Sequence, residues 1–71
     1  MKRKVKNKEF LDALKSHYEA ERDKNLATLK LYLDEPLAVA DHEGVIDSMG
    51  KLTQQLAEAE EALKTLETHF E

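Results

Sequence analysis

Eight apolar residues in the second half of the chain recur at spacings of 4-3-4-3-4-3-4: Val45, Met49, Leu52, Leu56, Ala59, Leu63, Leu66 and Phe70. An α-helix turns every 3.6 residues, so alternating steps of three and four keep all eight on one stripe. A period held at 3.5 favours a left-handed supercoil against a partner helix. A strand cannot use this spacing, because its side chains alternate with a period of two. Helix formers dominate from Lys51 to Glu67. Ile46 and Ala62 widen the stripe beyond the strict seam, which suits packing against more than one neighbour. Gly50 falls mid-helix on the outer face, where glycine costs about 1 kcal/mol relative to alanine. A two-helix arrangement gives it no purpose, and a close neighbour in an oligomer would.

The first half also reads as a helix, from about Asn7 to Leu33. Leu11, Leu14, Tyr18, Leu26, Leu29 and Leu33 share one face, with Phe10 at its edge and Asn7 as a candidate N-cap. The stripe is interrupted by residues 19–25, where Arg22 takes the place of an apolar residue. Asp34 and Pro36 end the helix, because the residue before a proline avoids the α region. A break over 34–43 follows, then the second helix over about 44–70, with Asp41 as N-cap and Glu43 and Asp47 near its positive end.

Two helices of similar length joined by a short segment make an antiparallel hairpin. The fold expected is all-α, a coiled-coil-like single domain over residues 1–71. Folding about the break brings residue i near residue 77 − i. Tyr18 then faces Ala59, Leu14 faces Leu63, Leu11 faces Leu66 and Leu29 approaches Met49. Arg22 meets Gln55 and lies near Glu58, which supply acceptors for a half-buried guanidinium. The expected core and oligomer seam comprises Leu11, Leu14, Tyr18, Leu26 and Leu29 with Met49, Leu52, Leu56, Leu63, Leu66 and Phe70.

A chain of 71 residues supports one small and marginal core. Without cysteine it has no disulfides to add stability, and no Cys/His cluster suggests a structural metal. Self-association is the remaining means, so a homo-oligomer is expected. No apolar run is long enough to span a membrane, and no signal-peptide core follows the basic start. The chain therefore reads as soluble and cytoplasmic, with no membrane partner. The net charge of −4 hides an asymmetry: Lys2, Arg3, Lys4, Lys6 and Lys8 stand against acids clustered near the C-terminus. In a hairpin those two ends meet, so charge complementarity accounts for the basic arm better than nucleic-acid binding does.

Chemistry has little to work with. Ser16 and Ser48 have no base assigned to them, and there is no Gly-rich phosphate loop and no zinc spacing. An enzyme is not expected, nor a cofactor or a metal. His17 and His69 read as surface residues. The break is different. It is apolar through Leu37, Ala38 and Val39 and ends in Asp41-His42-Glu43-Gly44, more than a plain helical turn requires. His42 can donate to an anion or stack on a base, Tyr32 can stack beside it, and Pro36 can supply an apolar wall. The N-terminus of a helix at Gly44 suits an anion, which Asp41 and Glu43 oppose unless another subunit contributes basic groups. The candidate ligand site is thus Tyr32, Pro36, Asp41, His42, Glu43 and Gly44. The bland alternative is that Leu37, Ala38 and Val39 only cap the core.

The segment Leu33-Asp34-Glu35-Pro36-Leu37-Ala38-Val39-Ala40-Asp41-His42-Glu43, followed by Val45-Ile46 and a heptad helix, resembles small helical-hairpin proteins of bacteriophages. Those carry a loop of the form Asn-Pro-Val-Gly-Ile-Gly-Glu-His between two helices. The likeness keeps Pro36, His42 and an acid at Asp41. It departs at Glu35, where the pattern has Asn, and at Ala38 and Ala40, where it has Gly. In architecture the chain is also similar to phage sponges that assemble into rings and sequester cyclic nucleotide signals of bacterial immunity. The resemblance implies an anti-defence binding protein in the host cytoplasm, taking a small anionic ligand, a cyclic nucleotide first, at the hairpin tip of a homo-oligomer. The alternative is a structural or protein-interaction coiled-coil module that binds a host or virion protein through its helical faces.

Overall fold

The computed structural model describes residues 4–34 and 42–70, and for His42 and Glu43 it describes the backbone only. Among the described residues the fold is two helices: α1 over Lys8–Asp34 and α2 over His42–Phe70. The start of α1 is closed by the Asn7 carbonyl, which accepts from the backbone N–H of Phe10 at 3.1 Å and of Leu11 at 3.3 Å. Glu9 in the first turn faces the positive end of the helix dipole. Asp34 remains helical because the restriction before a proline falls on Glu35. The second helix begins two residues earlier than the expected 44, and the proposed N-cap Asp41 lies outside the described residues.

The helices pack against each other in a body 53 × 18 × 15 Å. Seven residues separate them, reaching at most about 25 Å when extended. Each helix is about 40 Å long. So short a link cannot carry the chain back to start a parallel helix, and the pair is an antiparallel hairpin. Among the described residues no helix is long and apolar enough to cross a membrane.

The core is thin. Leu11, Ala59 and Leu66 are its buried hydrophobic residues. All eight residues of the repeat in α2 are buried or half-buried, so its seam faces α1 along the whole length. The first helix answers with a different stripe from the one its leucines suggest. Leu11, Lys15, Tyr18, Arg22, Asn25, Leu29 and Tyr32 are its buried or half-buried residues at 4-3-4-3-4-3 spacing. Leu14 and Leu33, expected on the packed face, are 42% and 64% exposed, and Phe10 is 74% exposed.

The reason is the demand of the partner. A supercoiled pair keeps a residue of α1 on the seam only if it recurs in step with α2. Leu11, Ala59 and Leu66 are buried, and Tyr18 and Ala59 line one hollow, which fits the expected step. Counting on in sevens from Tyr18 brings Asn25 and then Tyr32 to the seam, and moves Leu14 and Leu33 to its flanks. Ala59 is 3% exposed, the small residue that gives room to the Tyr18 ring.

Candidate functional site

The tip, where the chain turns, carries the six residues of the candidate ligand site. Tyr32 is half-buried on the seam in the last turn of α1, so part of its ring is committed to packing. Gly44 is half-buried in the first turn of α2. His42 and Glu43 are the first two residues of α2, with side chains outside the description, and Pro36 and Asp41 lie outside the described residues. The hairpin thus brings Tyr32 and Gly44 to the same end of the molecule. The bland reading of Leu37, Ala38 and Val39 also falls outside the described residues.

Two opposed electrostatic effects meet there. The N-terminus of α2 presents the positive end of its dipole, and the C-terminus of α1 presents the negative end of its own. The last turn of α1 carries no basic residue to offset it. Asp34 and Asp47 are exposed beside the tip. Lys30 and Lys51, also exposed, are the cations of the described helices nearest the tip in sequence, and sequence reasoning passed over both. The surface around the tip is apolar as well: Leu31, Leu33 and Ile46 are 61%, 64% and 65% exposed.

The middle of the hairpin holds the feature that sequence reasoning missed. Asn25 is 1% exposed, on the seam. Its Nδ2 donates to the Glu21 carbonyl at 2.7 Å, while its Oδ1 is buried with no hydrogen-bond partner. An unpaired buried acceptor typically costs about 1–3 kcal/mol. Around it the packing turns polar. Lys15 and Arg22 occupy seam positions, and Tyr18, Glu21, Gln55, Glu58 and Ala59 line a hollow of about 110 Å³. The Arg22 guanidinium finds its acceptor in Asp23, Nε to Oδ1 at 3.0 Å, and Gln55 and Glu58 line the hollow beside Tyr18. The signal that would have found Asn25 is its place seven residues after Tyr18 and fourteen after Leu11.

The remaining candidates are peripheral. Lys6, Asn7, Lys8, Glu9 and Phe10 line an open hollow of about 300 Å³ where the basic arm enters α1. His17 and His69 are exposed and sit against their neighbours: the His17 and Tyr18 rings are edge-on at 5.0 Å, and those of His69 and Phe70 lie 6.1 Å apart. Among the described residues no group of three or more His, Cys, Asp or Glu side chains could hold a metal ion. No family model, curated protein or solved structure matches this chain.

Proposed function

We propose that the chain is a non-enzymatic binding protein that works as a homo-oligomer and sequesters a small anionic ligand, with a cyclic nucleotide as first candidate, at the tip of its hairpin. The observation that carries this reading is the uncovered apolar surface beside the turn, Leu31, Leu33 and Ile46. Exposed aliphatic groups on so small a unit suit assembly at the tip end. Assembly there brings the tip of one copy beside a neighbour, whose basic residues supply the positive charge that a single tip lacks. The architectural resemblance to phage sponges supplies the ligand class, and the resemblance to phage hairpin proteins supplies the setting, the host cytoplasm.

A second reading has its own observation. Phe10 and Leu14 are exposed at the open end, away from the tip. They suit a protein-interaction module that docks a host or virion protein through a helical face.

Calorimetric titration of the purified chain with a panel of cyclic mono- and dinucleotides separates the two. The first reading expects saturable uptake, weakened by salt. His42→Ala should then remove about 1.5–3 kcal/mol of binding, the usual worth of a hydrogen bond to a charged group. No heat from any member of the panel overturns the ligand reading. A large protein retained with the chain on native mass spectrometry would favour the second.

A further inference from the structure

The flank of the hairpin on which Leu33 and Ile46 lie is sharply divided along its length. In an antiparallel pair, the residue following every second seam position falls on the same flank of both helices. On α1 these residues are Asp12, Glu19, Leu26 and Leu33, following Leu11, Tyr18, Asn25 and Tyr32. On α2 they are Ile46, Thr53, Glu60 and Glu67, following Val45, Leu52, Ala59 and Leu66. The open end of this flank is therefore acidic on both helices. The tip end is uncharged: Leu26, Leu33, Ile46 and Thr53. The hollow lined by Glu21 and Gln55, residues that precede Arg22 and Leu56 of the seam, opens on the opposite flank.

Gly50 belongs to the uncharged end. It is exposed, in line with Ile46, Thr53 and Ala57 at 4-3-4 spacing, and a Cβ added to it would meet nothing within 4 Å. Within one chain nothing calls for a glycine here, and glycine is the costliest residue but proline in a helix interior. Gly50, Thr53 and Ala57 thus form a line of small side chains on α2 beside two leucines of α1.

We propose that this tip-end flank is covered by a second copy of the chain laid antiparallel across it, with the tips overlapping and the open ends pointing away from each other. The inference rests on the homo-oligomer of the preceding reading and specifies its interface. Charge selects the orientation. Two copies stacked in parallel would set Asp12, Glu19, Glu60 and Glu67 against their own counterparts, whereas the antiparallel overlap keeps the acidic ends apart. The overlap then joins four helices around a two-fold axis passing close to Gly50 and Thr53. Ile46 of one copy comes opposite Ala57 of the other, a large-small match. Lys30 of one copy comes to the level of Glu21 of the other, within one turn of Asp23. Gly50 has its purpose in this arrangement, since the absent Cβ lets the two α2 helices approach closely.

Two substitutions test it. Gly50→Glu adds a good helix former into open space of the single chain but a carboxylate into the interface. Circular dichroism should show helix content kept, while sedimentation equilibrium should show self-association weakened at least tenfold. Thr53→Cys places a thiol near the two-fold axis, without adding a Cβ at Gly50, in a chain that has no other cysteine. Mild oxidation should give a disulfide-linked dimer far faster than Lys24→Cys does, an exposed position off this flank. Wild-type protein sedimenting as a monomer of 8.1 kDa overturns the proposal. So does a Gly50→Glu chain that assembles like the wild type, or equal cross-linking of the two thiol variants. The titration with cyclic nucleotides reads the other proposal separately. A chain that assembles through Gly50 and takes up no nucleotide keeps this interface and loses the ligand. A monomer that takes up nucleotide does the reverse.

Discussion

The two helices of the hairpin face each other over the same length and solve that packing differently. The α2 seam is apolar at all eight positions, from Val45 to Phe70. Its partner stripe on α1 is apolar only at the ends: Leu11 at the open end, Leu29 and Tyr32 at the tip, and between them Lys15, Arg22 and Asn25 around Tyr18. One helix supplies the hydrophobic surface and the other supplies the discrimination. A continuous apolar stripe can slide by a heptad and still pack. A polar residue fixed at one level makes every slipped register cost more, and a buried Asn on a coiled-coil seam is the best-attested device of this kind. Asn25 stands at such a seam position, with its Nδ2 bonded to the Glu21 carbonyl of its own helix and its Oδ1 unpaired in the single hairpin.

The largest test of this contrast is to damage the apolar side. Leu66 is buried, and so is Leu11, its expected partner across the hairpin. Leu66→Asp should cost about 3–5 kcal/mol, as expected for an unpaired charge placed in a core. For a unit this small that should abolish cooperative unfolding, and circular dichroism would show most of the helix signal gone. A melt that survives would mean α2 does not hold the fold through this face.

Changing the polar side should do the opposite. Asn25→Leu removes the unpaired acceptor and adds apolar volume, and should raise stability by about 1–2 kcal/mol in urea unfolding. The gain should come with lost definition, as broader amide spectra or several sedimenting species. If the variant is less stable than wild type, the buried amide has a partner in the assembled protein and the register argument fails.

How much of this was legible in the chain follows the same division. The spacing of α2 is strict, with each of its steps independently pointing to one face, and all eight of its residues are buried or half-buried. The α1 spacing is ambiguous. Its apolar residues Phe10, Leu14, Leu26, Leu31 and Leu33 outnumber those it commits to the seam, so a stripe drawn through the leucines gathers flank positions along with seam positions. Only the partner helix decides between the alternatives, and that information is not local. The polar waist was half visible: Arg22 stood out as an intrusion, while Asn25 was hidden by the habit of seeking apolar residues. Of the candidate ligand site, the sequence brought forward the turn. The exposed aliphatic rim and the two nearby lysines needed the helix rotation to be known.

A subtler probe concerns Gly50, the one weak link within the strong helix. In a single chain Gly50→Ala meets no neighbour and should stabilise α2 by about 0.5–1 kcal/mol. Thermal unfolding of dilute protein should show that gain. At concentrations where copies assemble, the gain should shrink or reverse as the added Cβ holds the helices apart. A stabilisation independent of concentration would mean that Gly50 has no neighbour in solution.

The smallest expected effect tests whether charge, and not packing, holds the polar middle of α1. Lys24 Nζ lies 3.3 Å from Glu21 Oε2, and Arg22 Nε lies 3.0 Å from Asp23 Oδ1. Both pairs are local, joining residues one or three apart, and their side chains are more than a third exposed. Exposed pairs of this kind are worth about 0.2–0.5 kcal/mol, and salt screens them further. Lys24→Gln should therefore shift urea unfolding by no more than about that amount, and the small shift should vanish in 1 M salt. A loss well above 1 kcal/mol would show the charges of α1 acting as a network across the waist, with Glu21 coupled to the groups that line the hollow beside Tyr18. The asymmetry between the helices would then be one of charge against packing. A negligible shift leaves Asn25 as the residue through which α1 sets the register, with the surrounding charges serving only to keep that stretch of the hairpin wet.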